Sequence, residues 1–174
     1  MPNWCLNRLT LSGPLPLLRK FHEDFTVGGY PQLGNIVPDA SRAIGYAAGV
    51  RAMRAPAWYD WRMKHWGTIA DLEPSACPFE PDGDGWSFDF DTQRRPPVAW
   101  LEGAVKSCPG VAFKLEFVEP EHSFSGVVEF DQDGFYVKKM YHGSADTEIG
   151  HRILGDYYFE PEEPSMMGFD APRG

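Results

Sequence analysis

Strict two-residue alternation near the start of the chain and again far downstream constrains the fold more than any other pattern. In residues 4–12, Cys5, Asn7, Leu9 and Leu11 alternate with Leu6, Arg8, Thr10 and Ser12, the period of a strand with one buried face. In residues 111–118, Val111, Phe113, Leu115 and Phe117 alternate with Ala112, Lys114, Glu116 and Val118. Each strand is joined to a helix. Leu15, Leu18, Phe21, His22 and Phe25 recur at helical spacing after the first, and Val98, Leu101 and Val105 form an apolar stripe before the second. Gly13-Pro14 stops the first strand, Pro97 suits the first turn of the second helix, and Cys108-Pro109-Gly110 ends it.

Between these units, residues 27–56 carry Gly28-Gly29, Pro31, Gly34, Pro38, Gly45, Gly49 and Pro56 and read as a long irregular insertion or lid. Residues 57–66 read as a short helix bounded by Pro56 and Gly67, with aromatic residues on more than one face. Residues 68–72 and 85–91 are expected to be strands, linked by a loop rich in Pro, Asp and Gly. Residues 123–131 and 135–141 follow as a hairpin, turned at Gln132-Asp133-Gly134, where Asp and Gly both tolerate positive φ. The sequence thus predicts an α+β sandwich in one domain over residues 1–159, with split βαβ order and an extra C-terminal β-hairpin. Residues 160–174 read as an acidic, Pro-rich tail that frays.

Composition bounds the function. The 174 residues, 43% hydrophobic and 14% aromatic, suffice for a core without disulfides or metals. No apolar run is long enough to span a bilayer, and no basic region followed by an apolar run opens the chain, so a cytoplasmic location with no membrane partner is expected. Cys5, Cys77 and Cys108 show no paired spacing and predict reduced thiols, not a disulfide framework, a zinc knuckle or an iron cluster.

The net charge of −9 opposes direct nucleic-acid binding, which depends on basic residues displacing counterions. Its distribution is uneven. Residues 40–66 hold Arg42, Arg51, Arg54, Arg62 and Lys64 against Asp60, whereas residues 71–91 hold Asp71, Glu73, Glu80, Asp82, Asp84, Asp89 and Asp91 with no Lys or Arg. A second acidic window runs over residues 116–133. Segregated charge of this kind steers a basic partner.

Reactive motifs are sparse. Neither Gly-x-x-x-x-Gly-Lys nor Gly-x-Gly-x-x-Gly occurs, so no loop is patterned to cradle phosphate. Asp82-Gly83-Asp84-Gly85-Trp86 begins like a calcium loop but lacks its sixth-position Gly and twelfth-position Glu. His22, His65, His122, His142 and His151 are scattered without metal-ligand spacing, and Ser123 and Ser125 near His122 lie outside any Gly-x-Ser-x-Gly. No cofactor or metal is therefore expected. The six tryptophans are read chiefly as core, Asn3 and Asn7 as ligands of nearby backbone, and Arg94-Arg95 as a solvated turn able to clamp an anion.

Met1-Pro2-Asn3-Trp4-Cys5-Leu6-Asn7, Trp58-Tyr59-Asp60-Trp61 running to His65-Trp66-Gly67-Thr68, Phe88-Asp89-Phe90-Asp91-Thr92 with Pro96-Pro97, and residues 117–126 together resemble the YubB-like or Api92-like family of small phage and plasmid proteins. The chain departs from the pattern where Ile69-Ala70-Asp71 stands in place of the family's Lys-Trp-Asp. The resemblance implies a ferredoxin-like domain and carries over no catalytic residue. Asn3, Trp4, Cys5, Asn7, Trp66, Gly67 and Thr68 are then family motif residues expected to serve the scaffold.

The expectation is a non-enzymatic interaction protein of a mobile element. It binds a host protein through an acidic face that includes Asp82, Asp84, Asp89 and Asp91, and in one version inhibits a host defence protein by covering its basic nucleic-acid groove. One alternative is a small-ligand binder or enzyme with a pocket under the insertion, with His65, Arg94 or an acidic residue at its mouth. The other is nucleic-acid binding through Arg42, Arg51, Arg54, Arg62 and Lys64.

Overall fold

The structure, a computed structural model, describes residues 3–28, 30–40, 57–73, 80–82, 85–121 and 124–158. Strand β1 (Trp4–Ser12) lies in the middle of a six-stranded antiparallel sheet. Helix α1 (Leu15–Phe25) follows it, then a two-stranded ribbon of β2 (Thr26–Val27) and β3 (Tyr30–Pro31), the short helix α2 (Leu33–Ile36), and α3 (Ala57–His65). The chain continues through β4 (Glu80–Asp82), β5 (Gly85–Gln93), α4 (Val98–Ser107), β6 (Ala112–Glu119), β7 (Phe124–Phe130), β8 (Tyr136–His142) and α5 (Glu148–Tyr158). The sheet order is β4-β5-β1-β6-β7-β8.

The alternation in β1 does what a two-residue period requires. Cys5, Leu9 and Leu11 face the same side as Phe88 and Phe90 of β5 and Phe113, Leu115 and Phe117 of β6. Over them lie Leu18, Phe21 and Phe25 of α1, together with Trp100, Leu101 and Ala104 of α4. Aromatic rings interlock at this interface: Phe25 meets Phe88 edge-on at 5.7 Å and Trp100 at 5.2 Å. Each such ring contributes about 1.5–3 kcal/mol by leaving water, which makes this layer the main source of stability.

The second face carries its own apolar cluster, Leu6, Val118 and Val127, closed by Ile149 and Ile153 of α5. The sequence reading places no helix after residue 143. Thr147 starts one, its Oγ1 accepting from the Gly150 N–H at 3.1 Å, and Ser125 Oγ fixes the approach by donating to the Ser144 carbonyl at 2.8 Å. Gly150 is needed there because a Cβ would fall 1.8 Å from the Ala145 carbonyl oxygen.

Three further expectations change. Residues 68–70 form bends and 71–72 are irregular, not a strand, because side chains claim their backbone and reach away from it. Arg62 Nη1 donates to the Ile69 carbonyl, and the Asp71 carboxylate accepts from the N–H groups of Leu33, Gly34 and Leu72. The strand beside β5 is instead β4, inside the stretch expected to be a loop. The β7–β8 turn is wider than a two-residue Asp-Gly turn: Asp131 N–H donates to the Phe135 carbonyl, and Asp131 Oδ1 accepts from Asp133 and Phe135. Gly134 takes φ +83°, whereas Asp133 does not enter the left-handed region, since Arg94 is the only described non-glycine residue there. Within the expected insertion, β2, β3 and α2 supply local order up to residue 40; residues 41–56, and the tail from 160, lie outside the described residues.

Candidate functional site

The motif residues converge on one segment, the turn from β5 into α4. Asn7 is fully buried and its side-chain amide donates to the Cys5 carbonyl at 2.7 Å, the Phe90 carbonyl at 3.2 Å and Thr92 Oγ1 at 2.9 Å. Thr92 in turn donates to the Arg95 carbonyl at 2.8 Å, and the Asn3 carbonyl accepts from the Arg94 N–H at 2.7 Å. From the other side, Thr68 Oγ1 donates to the Gln93 carbonyl at 3.0 Å, and the Trp66 carbonyl accepts from the Trp100 N–H at 3.2 Å.

Gly67 ends α3 with φ +85°, its N–H on the Arg62 carbonyl, and passes so close to the turn that a Cβ would meet the Pro96 oxygen at 3.0 Å. Trp66 and Trp100, both buried, donate their Nε1–H to the Val37 and Leu33 carbonyls at 2.8 and 3.0 Å. These contacts satisfy backbone groups that burial would otherwise strand, and they clamp β1, α2, α3 and α4 together. Trp4 is half-buried at the start of β1.

Cys5 sits inside this clamp. Burial pushes its thiol well above the ordinary value, and the Glu119 and Asp91 carboxylates add to the effect. A thiolate is therefore disfavoured, which removes the nucleophile that a reactive cysteine needs. Cys108 is raised in the same direction, again chiefly by burial.

Of the expected acidic face, Asp89 and Asp91 lie on the second face of β5, two residues apart. Asp89 is internally matched: Arg8, opposite it in register, reaches it through Nε at 2.8 Å and Nη2 at 2.7 Å. Asp91 is exposed at the end of the strand. Asp82 belongs to β4, and Asp84 falls outside the described residues.

Of the basic segment, Arg42, Arg51 and Arg54 lie outside the described residues. Arg62 is a structural cation: it holds Asp39 at 2.7 Å and stands 5.5 Å from the Trp58 ring centroid and 4.9 Å from that of Trp66. Lys64 is exposed. His65 stacks on Trp61 at 4.5 Å, and Arg94 and Arg95 are exposed on the turn.

A cavity of about 360 Å³ opens on the second face between α5 and strands β6 to β8, with Lys114, Glu129, Lys138, Met140 and Arg152 in its wall. Register explains its charges. Lys114, Glu129 and Lys138 stand side by side across three strands, and Glu116, opposite Arg8, is bonded by Lys114 at 3.1 Å and by Arg152. Burial pushes the Lys114 amine down, and the neighbouring Arg152, Lys138 and Arg8 push the same way against Glu129. Alternating charges across strands are the sheet's own cross-strand pairs. Their signal is in the sequence, but only the register reveals it. Among the described residues no group of three or more His, Cys, Asp or Glu side chains is placed to hold a metal ion.

The described residues thus define an α+β protein with an open antiparallel sheet and helices on both faces. No protein-family model matches the chain, and no curated protein matches it in sequence. A solved structure similar to it is the crystal structure of a protein api92 from Yersinia pseudotuberculosis, at 10% identity and a TM-score of 0.47, covering 83% of this chain and 99% of that one. Its name is that of the family the motifs resemble.

Proposed function

We propose that this chain is a non-enzymatic interaction protein of a phage or plasmid type, acting in the bacterial cytoplasm by occupying a host protein through its acidic surface. The observation that carries this reading is the exposed Asp91, at the end of a sheet face whose helix α5 packs on β6, β7 and β1. In a chain of net charge −9, a carboxylate at such a position faces a basic partner across water and speeds encounter. A host defence protein with a basic nucleic-acid groove fits that chemistry. The split βαβ reading of the scaffold is supported by strands β4-β5-β1-β6, with α1 and α4 as the two connecting helices. Among the described residues no helix is long and apolar enough to cross a membrane.

The test is affinity capture from bacterial lysate with the native chain and with Asp82→Asn, Asp84→Asn and Asp91→Asn combined. Asp89 is left in place because it holds Arg8. The native chain is expected to recover a protein that the neutralised chain does not, and to lose it as salt is raised. Equal recovery by both rejects the acidic-surface reading.

A further inference from the structure

The two edges of the sheet are built differently. At one, β4 is three residues long and contains Pro81, which has no N–H to offer a further strand. At the other, β8 runs seven residues without Pro and, among the described residues, pairs only with β7. Short length and proline are two means of blunting an edge that β8 lacks; what guards it against indiscriminate pairing is charge, Lys138 and Lys139, and a register irregularity opposite Glu129 and Phe130. Its side chains add to the contrast: Tyr136, Val137 and Tyr141 are 48%, 62% and 51% exposed, and Phe135 just before the strand is 70% exposed.

The charge of β8 is also opposite to that of the molecule. Residues 135–143 hold Lys138 and Lys139 and no carboxylate, in a chain of net charge −9. The nearest acids serve the fold: Glu129 stands opposite Lys138, and Glu102 accepts from the Tyr136 hydroxyl. Lys139 lies between two rings, 5.4 Å from Tyr136 and 5.9 Å from Tyr141, which holds its ammonium at the edge. Antiparallel pairing with a second copy centred on either lysine would set like charges directly opposite each other, which is destabilising. The same lysines favour carboxylates.

We propose that the outer edge of β8 receives an extended acidic segment of a partner protein as a further strand of the sheet. Main-chain hydrogen bonds supply the affinity, as in other cases of strand addition. Adjacent residues of a strand point to opposite faces, so Lys138 and Lys139 select two consecutive acidic residues, one for each face. Val137 and Tyr141 then contact apolar residues flanking that pair. This edge is separated from the Asp91 flank by β1, β6 and β7, so it is a second surface with partner chemistry opposite to the first.

The test uses the full chain and two fluorescent peptides, each alternating Val and Tyr around a central pair, Asp-Glu in one and Lys-Lys in the other. The acidic peptide is expected to bind at least about tenfold more tightly by anisotropy, with the preference shrinking as salt rises. Amide exchange in residues 136–142 should slow at alternate positions when it binds. The combined Lys138→Glu and Lys139→Glu chain should reverse the preference and bind the Lys-Lys peptide. Equal affinity for the two peptides, binding of neither, or binding without slowed exchange in β8 overturns the proposal. Concentration-dependent slowing of β8 exchange in the chain alone also overturns it, by making a second copy the occupant.

Discussion

Asn7 and Thr92 meet diagonally across neighbouring strands inside the sheet, Asn7 standing opposite Phe90 and Thr92 opposite Cys5, and the Asn7 amide donates to the Thr92 hydroxyl at 2.9 Å. Through this contact the first strand holds the turn that launches α4, and the same turn is held from the other side by Thr68. Most of the sequence's distinctive residues are thereby spent on one joint of the scaffold.

Replacing Asn7 with Leu should destabilise the chain by about 1–3 kcal/mol, because buried acceptors lose their donor. Urea unfolding measures this. The combined Asn7→Leu and Thr92→Val change should cost less than the two single costs added, since each removes the same bond. Strict additivity would mean that the contact contributes nothing.

Gly67→Ala forces a β-carbon into a backbone at φ +85° and against the Pro96 oxygen. The left-handed conformation alone costs roughly 1–2 kcal/mol for an alanine. Thermal unfolding of this variant should therefore begin well below that of the native chain, and an unchanged midpoint would show that the turn is not held as described.

Ile153 is 1% exposed between α5 and the sheet. Ile153→Ala should cost about 2–5 kcal/mol by leaving a cavity. Amide exchange should rise in residues 148–158 before it rises in α1 or α4, because this helix lies on the face opposite the main core.

Tyr136 titrates late. Burial first, then the hydrogen bond to Glu102 and its negative charge, push the phenol from 10.0 up to about 12. With the folded value raised, the Tyr136 contribution is fully present below pH 10.0 and is lost as pH climbs toward about 12. Burial and the Glu102 charge raise Tyr141 as well, so tyrosinate absorbance should show more than one late component; Tyr136→Phe should remove one of them and make alkaline destabilisation over that window shallower.

What could be foreseen follows from the range of the interactions. β1, α1, β5, α4 and β6 declare themselves because one face of each is buried and the periods of two or of three to four residues are local properties. The strand expected at residues 68–72 failed because Asp71 ties that stretch to α2 and Arg62 ties it to α3, and such bonds have no local pattern. Helix α5 was hidden by a single pair of buried isoleucines, Ile149 and Ile153, in an otherwise polar segment. At the candidate site, Asp89 and Asp91 were visible as an acidic run. That Arg8 pairs with Asp89 depends on a register between strands far apart in sequence.

On the proposed reading the motif residues build the scaffold while the acidic flank makes the functional contact. The most direct measurement sets two variants side by side in one capture assay from lysate, with melting followed in parallel: Thr68→Val, and Asp82→Asn, Asp84→Asn and Asp91→Asn combined. Thr68→Val is expected to lower the melting temperature but, while folded, to recover the same partner as the native chain. The neutralised chain should melt as the native chain does and lose the partner. A folded Thr68→Val chain that loses the partner, beside a neutralised chain that keeps it, would reverse these roles and overturn the acidic-surface reading.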